Sequence, residues 1–278
     1  MKSLFDELSF EVSKRTTEKY STSFSLGILA LSPQVRKGIY AIYGYVRLAD
    51  EIVDSFHDYD KHKLLERFKT ETDHAFAEGI SLNPILQSFQ DTVEKYNIDK
   101  QLVNDFLHSM SMDLNKVAYD LDLYDTYIYG SAEVVGLMCL HVFVNGDRAI
   151  FEELKPYAMK LGSAFQKINF LRDIKDDYQV LGRTYFPNVD LSKFDNETKS
   201  LIEIEIEQEF REALVGIKKL PNSSKFGVYL AFKYYLSLFY KIKCRSSEEI
   251  LAKRIRIPNF EKAIVAFKSY VRYKVAVL

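Results

Sequence analysis

The sequence predicts an all-α fold, because turn formers are scarce, helix caps are frequent and apolar residues recur at three- and four-residue spacing. Its 278 residues include 11 Gly and 6 Pro, against typical usage of about 7% and about 5%. No stretch alternates long enough to argue for a strand. No repeat, low-complexity tract or Gly/Ser-rich linker divides the chain, so residues 1–278 read as one domain.

The caps place the elements. Ser32-Pro33 and Asn83-Pro84 each pair an N-cap residue with proline at the first helical position. Asp60, Asp99 and Asp147 cap further starts, Gly79 ends one run, and Pro221 blocks another. The predicted helices span 5–20, 33–57, 60–78, 84–96, 99–117, 125–145, 147–179, 196–219, 224–244, 247–254 and 259–275. Residues 20–31 and 180–194 read as non-helical.

Composition removes several function classes. Hydrophobic residues make up 47% of the chain and charged residues 28%, with a formal net charge of -1. No global field recruits nucleic acid. Cys139 and Cys244 form no CxxC motif, and each reads as a buried thiol in an apolar helix of a reduced, cytoplasmic protein. The first seven residues carry acid where a signal peptide has a clean apolar run. The longest apolar stretch, Val134 to Val144, is shorter than a bilayer requires. His57, His62 and His74 sit on polar faces without metal spacing, and no Walker loop, Gly-x-Ser-x-Gly or Gly-x-Gly-x-x-Gly occurs.

Two acidic stripes carry the chemistry. In the first, steps of four, three and four put Tyr43, Arg47, Asp50 and Asp54 on one narrow helical face, beside the apolar stripe of Ile42, Val46, Ala49 and Val53. Like charges at four-residue spacing cost a helix about 0.2–0.5 kcal/mol, and more beside a buried apolar stripe. A bound cation removes that cost. The second stripe holds Asn169, Asp173 and Asp177 at four-residue spacing, with Gln166, Arg172 and Asp176 nearby. Hard oxygen donors without His or Cys favour magnesium, or manganese in its place, over zinc. Magnesium takes one or two carboxylates and completes its octahedron with waters and phosphate oxygens. A lone Asp-x-x-x-Asp is most often a solvated face; two, each with an arginine and an apolar neighbour, point to a diphosphate held between helices.

At these residues the chain resembles the phytoene/squalene synthase family. Tyr43 to Asp54 resembles its first aspartate-rich motif and Asn169 to Asp177 its second. Tyr20-Ser21-Thr22-Ser23-Phe24 resembles its opening segment. Gly182-Arg183-Thr184-Tyr185-Phe186-Pro187 matches the Gly-Arg-x-Tyr-x-Pro pattern that follows the second motif, and Tyr127-Ile128-Tyr129-Gly130 and Arg254-Ile255-Arg256-Ile257-Pro258 have counterparts. Glu51 stands where many relatives have Asp, and Asp176 where many have Glu; both keep a carboxylate.

The resemblance implies an isoprenoid-synthase-type helical bundle around a central cavity. The implied reaction joins two geranylgeranyl diphosphates head to head, through a cyclopropyl diphosphate, to phytoene. It needs magnesium and no nicotinamide cofactor. The implied metal ligands are Asp50, Glu51, Asp54, Asn169, Asp173 and Asp177. The catalytic set adds Tyr43, Arg47, Tyr129 and Arg172. Substrate binding falls to Ser21, Ser23, Arg47, Gln166, Asn169, Arg172, Arg183, Tyr185, Tyr234 and Arg254. Tail length is expected to be read near Tyr40, Ile39, Gly27 and Ile28, with Tyr40 the bulky residue that would favour a shorter tail.

Alternatives are a squalene or dehydrosqualene synthase using farnesyl diphosphate, a chain elongator or terpene cyclase, and a catalytically inactive helical scaffold. The expected protein is a monomer or homodimer, and mixed basic and aromatic runs at 241–245 and 268–274 allow peripheral membrane contact, although a solvated helix face is the commoner role of such runs.

Overall fold

A computed structural model of the protein describes residues 2–114, 120–176, 185–187 and 194–275. Among these residues there are thirteen α-helices, one π-helical segment and no strand. Asp177 and Arg183 lie outside the described residues.

Thirteen helices follow in order: α1 (Lys2–Tyr20), α2 (Thr22–Leu29), α3 (Pro33–Asp54), α4 (Lys61–Glu78), α5 (Pro84–Lys95), α6 (Lys100–Met112), α7 (Leu121–Ile128), α8 (Val134–Phe143), α9 (Arg148–Asp176), α10 (Asn196–Lys219), α11 (Asn222–Lys243), α12 (Ser247–Ala252) and α13 (Asn259–Lys274). The local signals act as expected. Asp60 accepts from the Lys63 amide at 3.1 Å, Asn83 from Ile85 at 3.0 Å and Asp99 from Gln101 at 2.9 Å. Gly79 closes α4 with φ 68°, the left-handed cap that glycine adopts without strain.

Three expectations are corrected. Residues 22–29, read as irregular, form α2, started by the Ser21 side chain on the Phe24 amide. It lies against α11 because two glycines meet: a Cβ on Gly227 would come within 2.4 Å of Leu31 and 2.8 Å of the Gly27 carbonyl. The run 125–145 is not one regular helix; a π segment, Tyr129–Glu133, joins α7 to α8. Cys244 is exposed at the C-cap of α11, beyond the helix's apolar face.

The core is one cluster of buried residues from Ile28 to Ile257. Within it α3 packs on α1, α5 and α8, while α9 packs on α8, α10 and α11. The continuous helical run Leu121–Phe143 is long and apolar enough to cross a membrane by composition, yet half of its most apolar window is buried inside the protein. Its apolarity serves the core. On α9, Lys167 is held between Glu205 and Glu209 of α10, with the Glu209 contact at 2.8 Å, and Ser163 donates to Glu209 at 2.8 Å. A buried pair of this kind is weak evidence for stability, but removing one partner alone would leave an uncompensated buried charge. The same helix lines the central cavity with Gly162, Phe165, Gln166, Asn169 and Asp173.

Candidate active site

Between α2, α3, α8, α9, α10 and α11 lies a cavity of about 540 Å³. Its mouth is polar and its body apolar. Both acidic stripes reach the mouth from opposite walls: Tyr43, Arg47, Asp50 and Asp54 on α3, and Gln166, Asn169, Arg172 and Asp173 on α9. The four-residue spacing that marked them in sequence is what lets each helix present its set along one face.

The two walls differ in charge balance. On α3, Arg47 pairs with Glu51 and stands 3.9 Å from Asp50, and its guanidinium lies 4.3 Å from the centre of the Tyr20 ring. Burial, and then the charge of Asp54, push the Asp50 carboxyl up to about 7; Arg47 opposes the shift, and Asp113 and Glu51 add to it. On α9, Asp173 accepts from Arg172 Nε at 2.9 Å and meets Arg254 Nε at 2.7 Å.

Asp113, at the end of α6, is an acid that sequence reasoning missed. It is 8% exposed, accepts from the Tyr127 hydroxyl at 2.7 Å and from the Tyr185 hydroxyl at 3.3 Å, and lines the cavity with both. It has no acidic neighbour at helical spacing, so no local pattern marks it. Tyr185 stacks on Phe170 with ring centres 4.2 Å apart, carrying the segment after the second motif into the core.

The apolar body is aromatic and small-residue by turns. Phe24, Phe165 and Tyr235 cluster, Phe165 and Tyr235 stacking at 3.8 Å, and the Tyr235 hydroxyl donates to Asn169 at 3.3 Å. Burial, then the charge neighbours Tyr235 and Asp50, push the Tyr43 phenol up to about 12, so it stays protonated. Gly162 lets α9 approach the π segment: a Cβ there would lie 2.7 Å from the Ala132 carbonyl.

Ser21, Gln166, Tyr185 and Arg254 line the cavity as expected, and so do Ile39, Gly27 and Ile28. Ser23, Glu51, Tyr129, Tyr234 and Tyr40 do not. Glu51 is turned to Arg47; burial works against its ionisation, but hydrogen bonds from Arg47, Ser55 and Tyr20 hold its carboxyl below the usual range. Tyr129, the first residue of the π segment, lies against Asp105 of α6. Tyr234 is 1% exposed and its hydroxyl has no partner among the described residues, while its neighbour Tyr235 faces the cavity. The signal for Tyr235 was present: Gly227, Ala231 and Tyr235 form one stripe at four-residue spacing on α11. Tyr40 is buried outside the cavity with an unpartnered hydroxyl, and does not cap its depth.

Among the described residues, no three His, Cys, Asp or Glu side chains converge closely enough to hold a metal by themselves. The donor chemistry nevertheless fits a divalent cation: Asp50 carries excess negative surroundings, with Asp54 and Asp113 as further hard oxygens.

The sequence profile of squalene/phytoene synthase matches residues 17–261. The chain belongs to that family. Squalene/phytoene synthases are prenyltransferases that bind prenyl diphosphates. Among curated members, this chain is similar to the phytoene synthase of Arthrospira platensis, 27% identical with 91% of this chain and 90% of that protein covered. It is also similar to the 15-cis-phytoene synthase of Synechocystis sp., 28% identical over 97% of this chain and 86% of that one. Among solved structures it shares its fold with a dehydrosqualene synthase determined in complex with a ligand, at TM-score 0.83, 19% identity and coverage of 97% and 98% of the two chains. The squalene synthase HpnC from Alicyclobacillus acidocaldarius superposes at TM-score 0.74, with 24% identity and coverage of 84% and 93%.

Proposed function

We propose that this squalene/phytoene synthase condenses two geranylgeranyl diphosphates head to head to phytoene, without a reductant. The observation that carries the reading is the polar mouth, with acids and arginines on facing walls, set over a long apolar cavity. Phytoene synthases among its relatives, similar over nearly the whole chain, favour this substrate.

Lining residues on α9 run from Leu154 to Asp173, a helical span of about 28 Å at about 1.5 Å per residue, which leaves room for a long apolar tail beneath the mouth. Tyr40, the residue expected to favour a shorter one, stands outside this path.

Magnesium, or manganese, would be held by Asp50 and Asp54 with Asn169 and Asp173, and by Asp177 beyond the described residues. Once bound it would neutralise the leaving diphosphate. Arg172 and Arg254, released from Asp173, and Arg47 add positive charge where negative charge grows as the allylic carbon–oxygen bond breaks. Phe24, Phe165 and Tyr235 present ring faces that stabilise the allylic cation and keep water from it. Tyr127 and Tyr185, tied to Asp113, hold the segment after the second motif against the cavity.

Incubation with geranylgeranyl or farnesyl diphosphate, with magnesium and after chelation, tests the reading by mass analysis of the extracted hydrocarbon. Phytoene from the longer substrate, formed only with the metal, is expected. A product of thirty carbons as the main hydrocarbon from a mixture of both substrates overturns the assignment.

A further inference from the structure

Helix α13 is built inside out. Among its residues the one buried side chain is Ser269, 1% exposed, and its hydroxyl has no hydrogen-bond partner among the described residues. Its large apolar residues face solvent: Phe260 is 76% exposed and Phe267 70%, with Ile264, Val271 and Val275 also exposed. Steps of four, three, four and four place all five on one face. A helix of a water-surrounded protein ordinarily turns such a stripe inward. Helical geometry puts Lys268 and Arg272 along one edge of the stripe and Lys274 along the other.

Beside it, α11, α12 and α13 enclose a groove of about 1440 Å³. Of its nine charged lining residues, eight are cationic and Glu249 is the one acid. Three of the cations are engaged: Lys241 with Glu261, Arg245 with Glu249, and Arg254 with Asp173. The other five, from Lys233 to Arg272, have no ion-pair partner among the described residues. Burial, and then repulsion from Arg272, hold the Lys233 ammonium below its usual range.

We infer that this face docks on an anionic lipid surface, with the Phe260–Val275 stripe entering the headgroup boundary and the groove's cations meeting lipid phosphates. An exposed apolar stripe edged by lysine and arginine is the pattern that binds in the plane of such a surface. Charge argues against a second copy of the chain as the occupant. A two-fold contact at this face would bring one cation-rich groove towards another. Docking also orients the catalytic cavity. Arg254 lines both the groove and the cavity mouth, so the mouth opens beside the lipid. This orientation gains its purpose from the prenyl diphosphate reading, since those substrates carry lipid tails; the docking itself does not depend on it.

The test is co-sedimentation of the full chain with vesicles of phosphatidylcholine alone or mixed with phosphatidylglycerol, compared with Phe260→Asp/Phe267→Asp. The wild type is expected to bind the anionic vesicles at least about tenfold more tightly than the neutral ones, and to lose much of that preference at high salt. The double variant, altered only at exposed positions, is expected to lose at least about tenfold in vesicle binding with its thermal melt unchanged. It should keep its rate on detergent-dispersed substrate and lose rate on substrate presented in vesicles. Equal binding to both vesicles, no vesicle binding, or wild-type binding by the double variant overturns the inference. So does conversion of a dimer to a monomer by the double substitution, which would assign the face to a second copy. If vesicle binding behaves as expected but no prenyl diphosphate is consumed, docking stands and the proposed reaction falls.

Discussion

The two walls of the cavity mouth share a motif but not a charge state. On α9, Asp173 lies between two arginines, and its charge is met within the protein. On α3, Arg47 is shared between Glu51 and, at 3.9 Å, Asp50, and burial and neighbouring acids still raise the Asp50 carboxyl to about 7. Among the described residues, the α9 acid is met by two arginines while the α3 acids are not fully compensated. Under the proposed function the same four-residue acidic spacing takes two roles: a cation demand on α3, and on α9 a store of arginines that a diphosphate would take over.

Asp50→Asn and Asp173→Asn break this comparison most sharply. Each should lower kcat/KM by at least about 100-fold, since each removes charge control at the leaving group. Their stabilities should move in opposite directions. Asp50→Asn relieves like-charge repulsion and should stabilise the metal-free protein by a few tenths of a kcal/mol or more. Asp173→Asn leaves Arg172 and Arg254 facing one another and should cost about 0.2–1 kcal/mol. Thermal melts of both variants without metal check the signs; shifts of the same sign would erase the distinction between the walls.

Arg254→Ala sharpens the α9 side. It removes one charge-assisted partner of the diphosphate and should raise KM about tenfold while changing kcat less. Steady-state kinetics separates the two, and a fall confined to kcat would place Arg254 in the chemical step instead.

Glu51→Gln asks whether the acid beside Asp50 binds metal or holds Arg47. A supporting role predicts a loss of about three- to tenfold in rate, with the magnesium concentration for half-maximal activity unchanged. A large rise in that concentration would return Glu51 to the ligand set.

A pH dependence of stability probes the same α3 wall without any substitution. The folded carboxyl of Asp50, at about 7, lies above the ordinary 3.8. Between these values the folded state binds more protons than the unfolded one, so Asp50's contribution to stability falls as pH rises through that window. Melts of the metal-free protein at pH 5 and pH 8 should show this decline, and Asp50→Asn should show less of it. Equal slopes would mean that Asp50 is solvated like a surface acid.

Most of the helices and both stripes were legible in the sequence because their signals are local: caps act within one turn, and the acids recur every four residues. What was missed depends on distant partners. α2 holds a glycine and two serines in eight residues, and its place rests on close backbone packing against Gly227 of α11. Asp113 draws its meaning from Tyr127 and Tyr185, the latter 72 residues away. Tyr234, assigned from the family resemblance, does not line the cavity; its neighbour Tyr235 does, on the stripe that runs from Gly227 through Ala231. Tyr129, also assigned from the resemblance, stands at the start of a π segment and does not line the cavity, and such an irregularity is invisible to a count at regular spacing.

That irregularity has a genetic consequence. The π segment Tyr129–Glu133 accommodates one residue more than a regular turn. On one side of it Tyr127 faces the cavity; on the other, Val135, Cys139 and Phe143 do. Loss of a single codon within the segment would restore an unbroken α-helix, with every apolar residue retained and helix content nearly unchanged. It would also rotate α7 relative to α8 by about one residue's turn, roughly 100°, and carry Tyr127 away from Asp113. The same rotation would carry Tyr124 and Ile128 out of the core, so one lost codon would disturb site and packing together with almost no change in composition.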